Sequence, residues 1–370
     1  MLYLDHAATT PPDERVLNAM AKCMREHWHN PSAAYSAAGS ARKVLREARG
    51  TLAGMLRASP GEIAFTSCGT ESNALALQLA RGRHAVVCAA EHASVLHAAR
   101  AVCAEVSIVP VDAQGRVSPE DVLRAVRDNT ALISVQYANN ETGVIQPVRE
   151  IGAIARRLRV PLHCDAVQAF GHVPIDVRAE NIDLLSLSAH KFYGPRGAGA
   201  LYLRQGIRPQ PLLTGGGQEN GLRSGTENIA AICGMAEAAR LAQEDMAERA
   251  QREARLMRPF GAALRSRVPS CIELCGASPR LPGVRAYLLP GLEATQAIAD
   301  MDLVGIQISG GAACAAHSAD ASHVYLALGL SPQQARCVVR ISIGRATREE
   351  ELLRAAQELA RIYHRRTASR

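Results

Sequence analysis

The chain has 370 residues, 48% hydrophobic and 21% charged, with a formal charge of +7. That balance excludes a disordered or low-complexity chain and leaves ample core for one large or two medium domains. No apolar run nears the roughly 18 residues a spanning helix needs, and no basic run with interleaved aromatics points to direct nucleic-acid binding.

From about residue 60 onward, short apolar runs alternate with helical patterns. Ile63 to Thr66 reads as a strand, followed by a helix over 70–81. A strand over 85–88, a helix over 94–103 and a strand over 106–110 come next. Ser118, Pro119, Glu120 and Asp121 open another helix, with Ser as cap, Pro at the first position and acids in the first turn. Then come a strand over 132–136, a helix over 147–158, and strands over 161–165, 184–187 and 199–203. The alternation predicts an α/β domain with a mostly parallel sheet covered by helices. Near Gln243 the composition shifts to a charge-rich helical stretch ending at about Arg267. Strands over 286–289 and 338–343 and a last helix over 348–363 predict a smaller α+β domain. The expected organisation is a large domain over 15–245 and a small one made of 246–370 together with the N-terminal arm 1–14.

Lysine occurs at Lys22, Lys43 and Lys191, and the other 39 basic residues are arginine. Codon bias explains the excess, but it makes each lysine informative, because lysine loses its proton and forms imines where arginine does not. Lys191 follows a buried strand and precedes Gly194-Pro195, at the kind of strand end where α/β sites gather. Ser67 to Asn73 also follows a strand and opens a helix, which suits a phosphate cradle or an ordinary capped start. Asp165 in His163 to Gln168 suits a pyridinium partner or a helix cap. His92 suits ring stacking, proton transfer or a structural role. Arg340 interrupts a β-like run and suits either a carboxylate clamp or the surface. Ten scattered cysteines fit no secretory framework, and the first six residues fit no signal peptide, so a cytoplasmic protein with free thiols is expected. The segment Ser309 to Asp320 is all small or polar around Cys314 and reads as a mobile loop, where reactivity is the better reason for a cysteine. The nine other cysteines read mainly as core. Cys271 and Cys275 lack a second ligand pair, so no metal site is expected.

Taken in order, Tyr3-Leu4-Asp5-His6-Ala7-Ala8-Thr9-Thr10-Pro11, His29-Asn30-Pro31-Ser32, Gly69-Thr70-Glu71 and Ala138-Asn139-Asn140-Glu141-Thr142-Gly143 resemble the cysteine desulfurases, as do Asp165-Ala166-Val167-Gln168, Ser188-Ala189-His190-Lys191, Arg223-Ser224-Gly225-Thr226-Glu227-Asn228 and Ala313-Cys314. These are class V aminotransferases of pyridoxal 5'-phosphate (PLP) fold type I, and the likeness spans nearly the whole chain. It implies a seven-stranded large domain and a small domain carrying the catalytic cysteine loop. By resemblance, Lys191 is the Schiff-base lysine, Asp165 the pyridinium partner, Gln168 the contact to the ring hydroxyl and His92 the stacking, proton-shuttling histidine. Gly69, Thr70, Ser188 and His190 resemble the phosphate site, with Thr226 reaching it from the other subunit of a homodimer. Asn30, Asn140 and Arg340 resemble substrate-orienting groups, and Cys314 the persulfide-forming cysteine, with His317 a nearby basic group. The implied reaction converts L-cysteine to L-alanine and passes sulfur to a protein acceptor. A selenocysteine lyase, another class V transaminase or lyase, and a non-enzymatic regulatory module are the alternatives. Cys68 and Tyr35 depart from the family's usual Gly and His. The short basic tail after Arg345 lacks the extension with which the iron–sulfur branch engages its scaffold. By resemblance that puts general iron–sulfur supply in doubt, and iron–sulfur, tRNA-thiolation and DNA-phosphorothioation acceptors all stay open.

Overall fold

A computed structural model describes residues 1–311 and 321–368. Strand β1 (Leu2–Tyr3) lies in the arm. Seven strands form the main sheet: β2 (Ile63–Thr66), β3 (His84–Cys88), β4 (Glu105–Val109), β5 (Thr130–Ser134), β6 (Leu162–Asp165), β7 (Leu184–Ser188) and β8 (Gly199–Leu203). Their order is β2-β8-β7-β6-β5-β3-β4. All neighbouring pairs are parallel except those of β8, which runs antiparallel to both β2 and β7. The strands of this sheet other than β4 are buried throughout, as expected where helices cover both faces.

The expected strand over 132–136 is shifted to Thr130–Ser134, because Gln136 leaves the sheet and donates to the Ala90 carbonyl at 2.6 Å. Helices Glu14–Glu26 and Ala38–Leu56 precede the sheet. Asp13 caps the first, accepting from Arg15 N at 3.0 Å.

The long helix begins earlier than expected, at Ile229, and runs 39 residues to Arg267. Asn228 caps it, accepting from Ala231 N at 3.2 Å. Its first half is small and apolar and buries Ile232, Met235 and Ala239 in the main core. Its second half buries Leu256, Phe260 and Leu264 in a second cluster. The composition shift near Gln243 therefore marks a change of burial along one helix, and that helix runs unbroken through 245.

The second cluster surrounds a three-stranded antiparallel sheet, in which β10 (Val284–Leu288) lies between β9 (Ile272–Glu273) and β12 (Val338–Ser342). The arm joins this part: β1 pairs in parallel with β11 (Ile306–Gln307), and Leu2 and Leu4 enter the second cluster. The chain closes with the helix Glu349–Thr367. Among the described residues no helix is long and apolar enough to cross a membrane.

Helix Val148–Leu158 lies so close to the Glu180 carbonyl that a Cβ on Gly152 would sit 1.9 Å from that oxygen. Gly152→Ala is expected to destabilise the fold by about 1–3 kcal/mol, the usual cost of overpacking, read as a lower urea midpoint.

Candidate active site

The carboxyl ends of the parallel strands open onto one cavity of about 220 Å³, the position topology favours in α/β folds. It is lined by His92, Asp165, Gln168, Gly69, Thr70, Ser188, His190, Lys191, Asn140 and Arg340. Sequence reasoning singled out all ten, and the fold brings them together from six separated stretches of chain.

At one end of the cavity, the helix Gly69–Leu77 follows β2. Its cap residue, Cys68, makes no side-chain capping bond, so the first-turn amides remain for an anion. A Cβ on Gly69 would lie 2.6 Å from Val167 Cγ2, so glycine is what lets this helix tip close on Val167 and Ser188. Thr70, Ser188 and His190 stand beside the tip on the cavity wall. Burial, then the Lys191 charge, holds His190 down to about 4, so it is neutral at pH 7.

Deeper in, Asp165 is 6% exposed. Its Oδ1 accepts from Val167 N at 2.9 Å and its Oδ2 from Asn73 Nδ2 at 2.7 Å. The same Asn73 nitrogen donates to Ser94 Oγ at 2.9 Å, and Ser94 Oγ lies 2.8 Å from His92 Nδ1. His92 caps the helix Ala93–Val102, with Nδ1 also accepting from Ser94 N at 3.2 Å. With Nδ1 an acceptor, the neutral ring carries its proton on Nε2. Burial lowers the His92 pKa, and the Asp165 charge only partly opposes this. Glu91 beside it is fully buried, and burial followed by the Asp165 charge pushes its carboxyl well up.

Lys191 follows β7 in a short 3₁₀ turn, and its Nζ donates to the Ala7 and Ala8 carbonyls at 2.7 and 2.9 Å. Gln168 Nε2 donates to the same Ala7 oxygen at 2.8 Å. Two residues on, Tyr193 holds the left-handed φ of +67°. Such strain persists only where surroundings enforce it; here Tyr193 N donates to Thr10 Oγ1 at 2.7 Å and its hydroxyl accepts from Arg345 N.

Arg340 is 1% exposed, yet it lines the cavity. Its Nη1 donates to the Asn140 carbonyl at 2.8 Å and its Nη2 to Asp5 Oδ1 at 2.5 Å.

Two predicted residues stand elsewhere. Asn30 and Thr226 line a separate surface hollow with Trp28, which is 71% exposed. Cys314 and His317 lie outside the described residues. Of the other cysteines six are buried, but Cys68, Cys103 and Cys233 are only partly so, and Cys68 lines the cavity. The expectation of a core role is corrected for Cys68, because the turn before the helix tip faces the opening, whereas Cys103 packs against a core cluster. Residue-by-residue reading missed Asn73, Ser94, Gln136 and the arm contacts of Asp5, Ala7 and Ala8. Asn73 had a signal: three residues after Thr70, it shares a face of the same helix.

Residues 2–354 match the family model for aminotransferase class-V. The cysteine desulfurase IscS of Clostridium botulinum is 40% identical over 377 residues, spanning 99% of this chain and 95% of that protein. A solved NifS-like protein superposes with a TM-score of 0.90 at 33% identity, covering 98% of each chain. A solved structure of SspA in complex with cysteine superposes with a TM-score of 0.79 at 33% identity, covering 93% of this chain and 99% of that one. The chain belongs to the class V aminotransferases, in their cysteine desulfurase family. Enzymes of this family depend on PLP, and the donor set fits that group. The cavity combines a buried carboxylate for a pyridinium, open helix amides for a phosphate and a lysine amine.

His163 on β6 is buried between Ser134 Oγ (2.9 Å) and Ser186 Oγ (3.0 Å). Burial depresses its pKa from 6.5 to about 4. The unfolded chain therefore takes up this proton first on acidification. Its stabilising contribution is full above 6.5 and is lost as pH falls toward 4. His163→Asn is expected to flatten the decline of the unfolding midpoint between pH 6.5 and 4.5, measured by thermal denaturation at a series of pH values.

Proposed function

We propose that the protein is a cysteine desulfurase that turns L-cysteine into L-alanine and carries the sulfur as a persulfide on Cys314 to an acceptor protein. The observation carrying this reading is the convergence of Lys191, Asp165, the open helix tip and Arg340 on one cavity, in a chain of this family. Its solved relative SspA, described in complex with cysteine, supports the substrate. When bound, PLP supplies an electron sink for negative charge developing at the amino acid's Cα.

The chain's own groups divide the remaining work. Lys191 would hold the cofactor through its Nζ, and its amine stands ready to take the Cα proton. Asp165, fixed by Asn73 and by Val167 N, would pair with the ring nitrogen, and Gln168 would meet the ring hydroxyl. The first-turn amides of the helix at Gly69 and Thr70, with Ser188 and His190, would hold the phosphate. His92 would cover the ring, and only its Nε2 is free to exchange a proton with the cavity, since Nδ1 is engaged by Ser94. Arg340 and Asn140 orient the substrate. The Cys314 thiolate then attacks the substrate sulfur, forming an S–S bond as the C–S bond breaks. Net, L-cysteine and one thiol become L-alanine and one persulfide, with no outside oxidant or reductant.

The working unit we propose is a homodimer in the cytoplasm. Supporting it, Asn30 and Thr226 line a surface hollow away from the Lys191 cavity, as groups serving a second copy's cavity would. Nine described cysteines are free thiols, which suits a reducing compartment. The acceptor is a protein of an iron–sulfur, tRNA-thiolation or DNA-phosphorothioation pathway.

Purified protein is expected to be yellow and to release alanine from L-cysteine. Cys314→Ala keeps the colour and releases neither alanine nor sulfide, whereas unchanged turnover in that variant overturns the assignment. Lys191→Ala loses the visible absorbance of the wild type. Asn73→Ala removes the donor to Asp165, and PLP titration of the apoprotein is expected to show affinity weakened by about 10-fold or more, the usual worth of a hydrogen bond to a charged group.

A further inference from the structure

Asp5 and Arg340 are 335 residues apart in the chain and meet because the arm registers against β12. Ser342 N donates to the Leu4 carbonyl at 2.8 Å and His6 N to the Ser342 carbonyl at 3.2 Å, which sets Asp5 opposite Ser342. Tyr3 ties the arm from both sides, its hydroxyl lying 2.8 Å from the Asp5 carbonyl and 3.0 Å from the Thr9 carbonyl. The Asp5 carboxylate thereby lands on Arg340 Nη2. Each terminal nitrogen of Arg340 then has one partner, while the buried Nε has none among the described residues. A guanidinium has five N–H donors, so two are used to fix its plane and the rest remain. A buried donor without a partner is costly and is rarely left so without reason. This one sits on a guanidinium at the wall of the cavity that receives the amino acid.

We propose that Asp5 is a positioning residue for amino-acid binding. It locks the Arg340 fork so that the unused N–H donors meet the α-carboxylate of the incoming amino acid, and it balances the buried cation while the cavity is empty of substrate. The proposal rests on the role given above to Arg340 in orienting the substrate. It adds that this role depends on a hydrogen-bond acceptor supplied by the arm. Asp5 touches neither substrate nor cofactor and acts through Arg340.

The test uses the PLP-loaded enzyme and follows visible absorbance during titration with L-alanine, and separately with L-alaninamide, whose carboxylate is replaced by a neutral amide. Asp5→Ala is expected to raise the Kd for L-alanine by about 10- to 100-fold, with the Kd for L-alaninamide unchanged. Asp5→Asn keeps an acceptor of the same shape and is expected to recover most of the loss, leaving a deficit of about threefold. An equal loss for both ligands would mean a general structural role and overturns the proposal, as does unchanged or tighter L-alanine binding. Should Asp5→Ala fail to fold, Asp5→Asn decides by the same comparison: no selective loss for L-alanine overturns the proposal. Arg340→Ala is expected to show the same selective loss, and its absence overturns the Arg340 role and this proposal together. Wild-type enzyme that binds L-alanine in this Arg340-dependent way but releases none from L-cysteine overturns the desulfurase activity alone.

Discussion

The cavity depends on the N-terminal arm, which lines it at Ala7 and Ala8 and turns their carbonyls toward the Lys191 amine. The main sheet supplies a floor of strand ends, and the second cluster supplies Arg340 from β12. Neither part closes the space alone. The arm runs between them and bonds to both. It pairs with β11 and Ser342 on one side, and on the other Thr10 N donates to the His190 carbonyl at 2.9 Å and Asp13 N to the Tyr193 carbonyl at 3.0 Å. The opening motif is therefore a wall of the site, and its backbone oxygens are as specific as side chains.

Charge in this region is concentrated by neutralising its surroundings. His6, His163 and His190 are each held down to about 4, in every case first by burial, and burial pushes the Glu91 carboxyl well up. In a medium of low dielectric, uncompensated ions are costly and remaining charges act over longer range. Asp165 and Lys191 thus face the cavity beside groups held neutral, while Arg340 is paired with Asp5. The Asn73–Ser94–His92 chain fixes a tautomer without adding charge, a device that positions a ring while leaving its electrostatic field to the ions nearby.

Much of this was legible in the sequence because strand ends announce themselves. An apolar run that stops at a polar cluster locates Lys191, Asp165, His92 and the Gly69 turn without knowledge of the fold, and the resemblance supplies their roles. The arm contacts were not legible residue by residue: a carbonyl has no letter in the sequence, and Asp5 meets its partner only through pairing across 335 residues. The start of the long helix was hidden for a different reason. Residues 229–242 are small and apolar with few charges, so they lack the amphipathic period that marks a surface helix. Helices Glu14–Glu26 and Ala38–Leu56 precede the first apolar run that reads as a strand. The second of these buries Ala38, Ala41, Leu45, Ala48, Leu52 and Leu56 at spacings of three and four, a face visible once alanine counts as apolar.

The 39-residue helix has a consequence for how the molecule comes apart. At 1.5 Å per residue it is about 58 Å long, enough to be a shared spine for both buried clusters. Buried Arg249, near its middle, donates to the Gly171 carbonyl, and Asp245 one turn earlier takes the guanidinium of Arg345, three residues past β12. Unravelling either end strips hydrogen bonds and apolar cover from the other. The two cores are separate in packing yet joined in unfolding, and a chain cut at residue 245 would lose both.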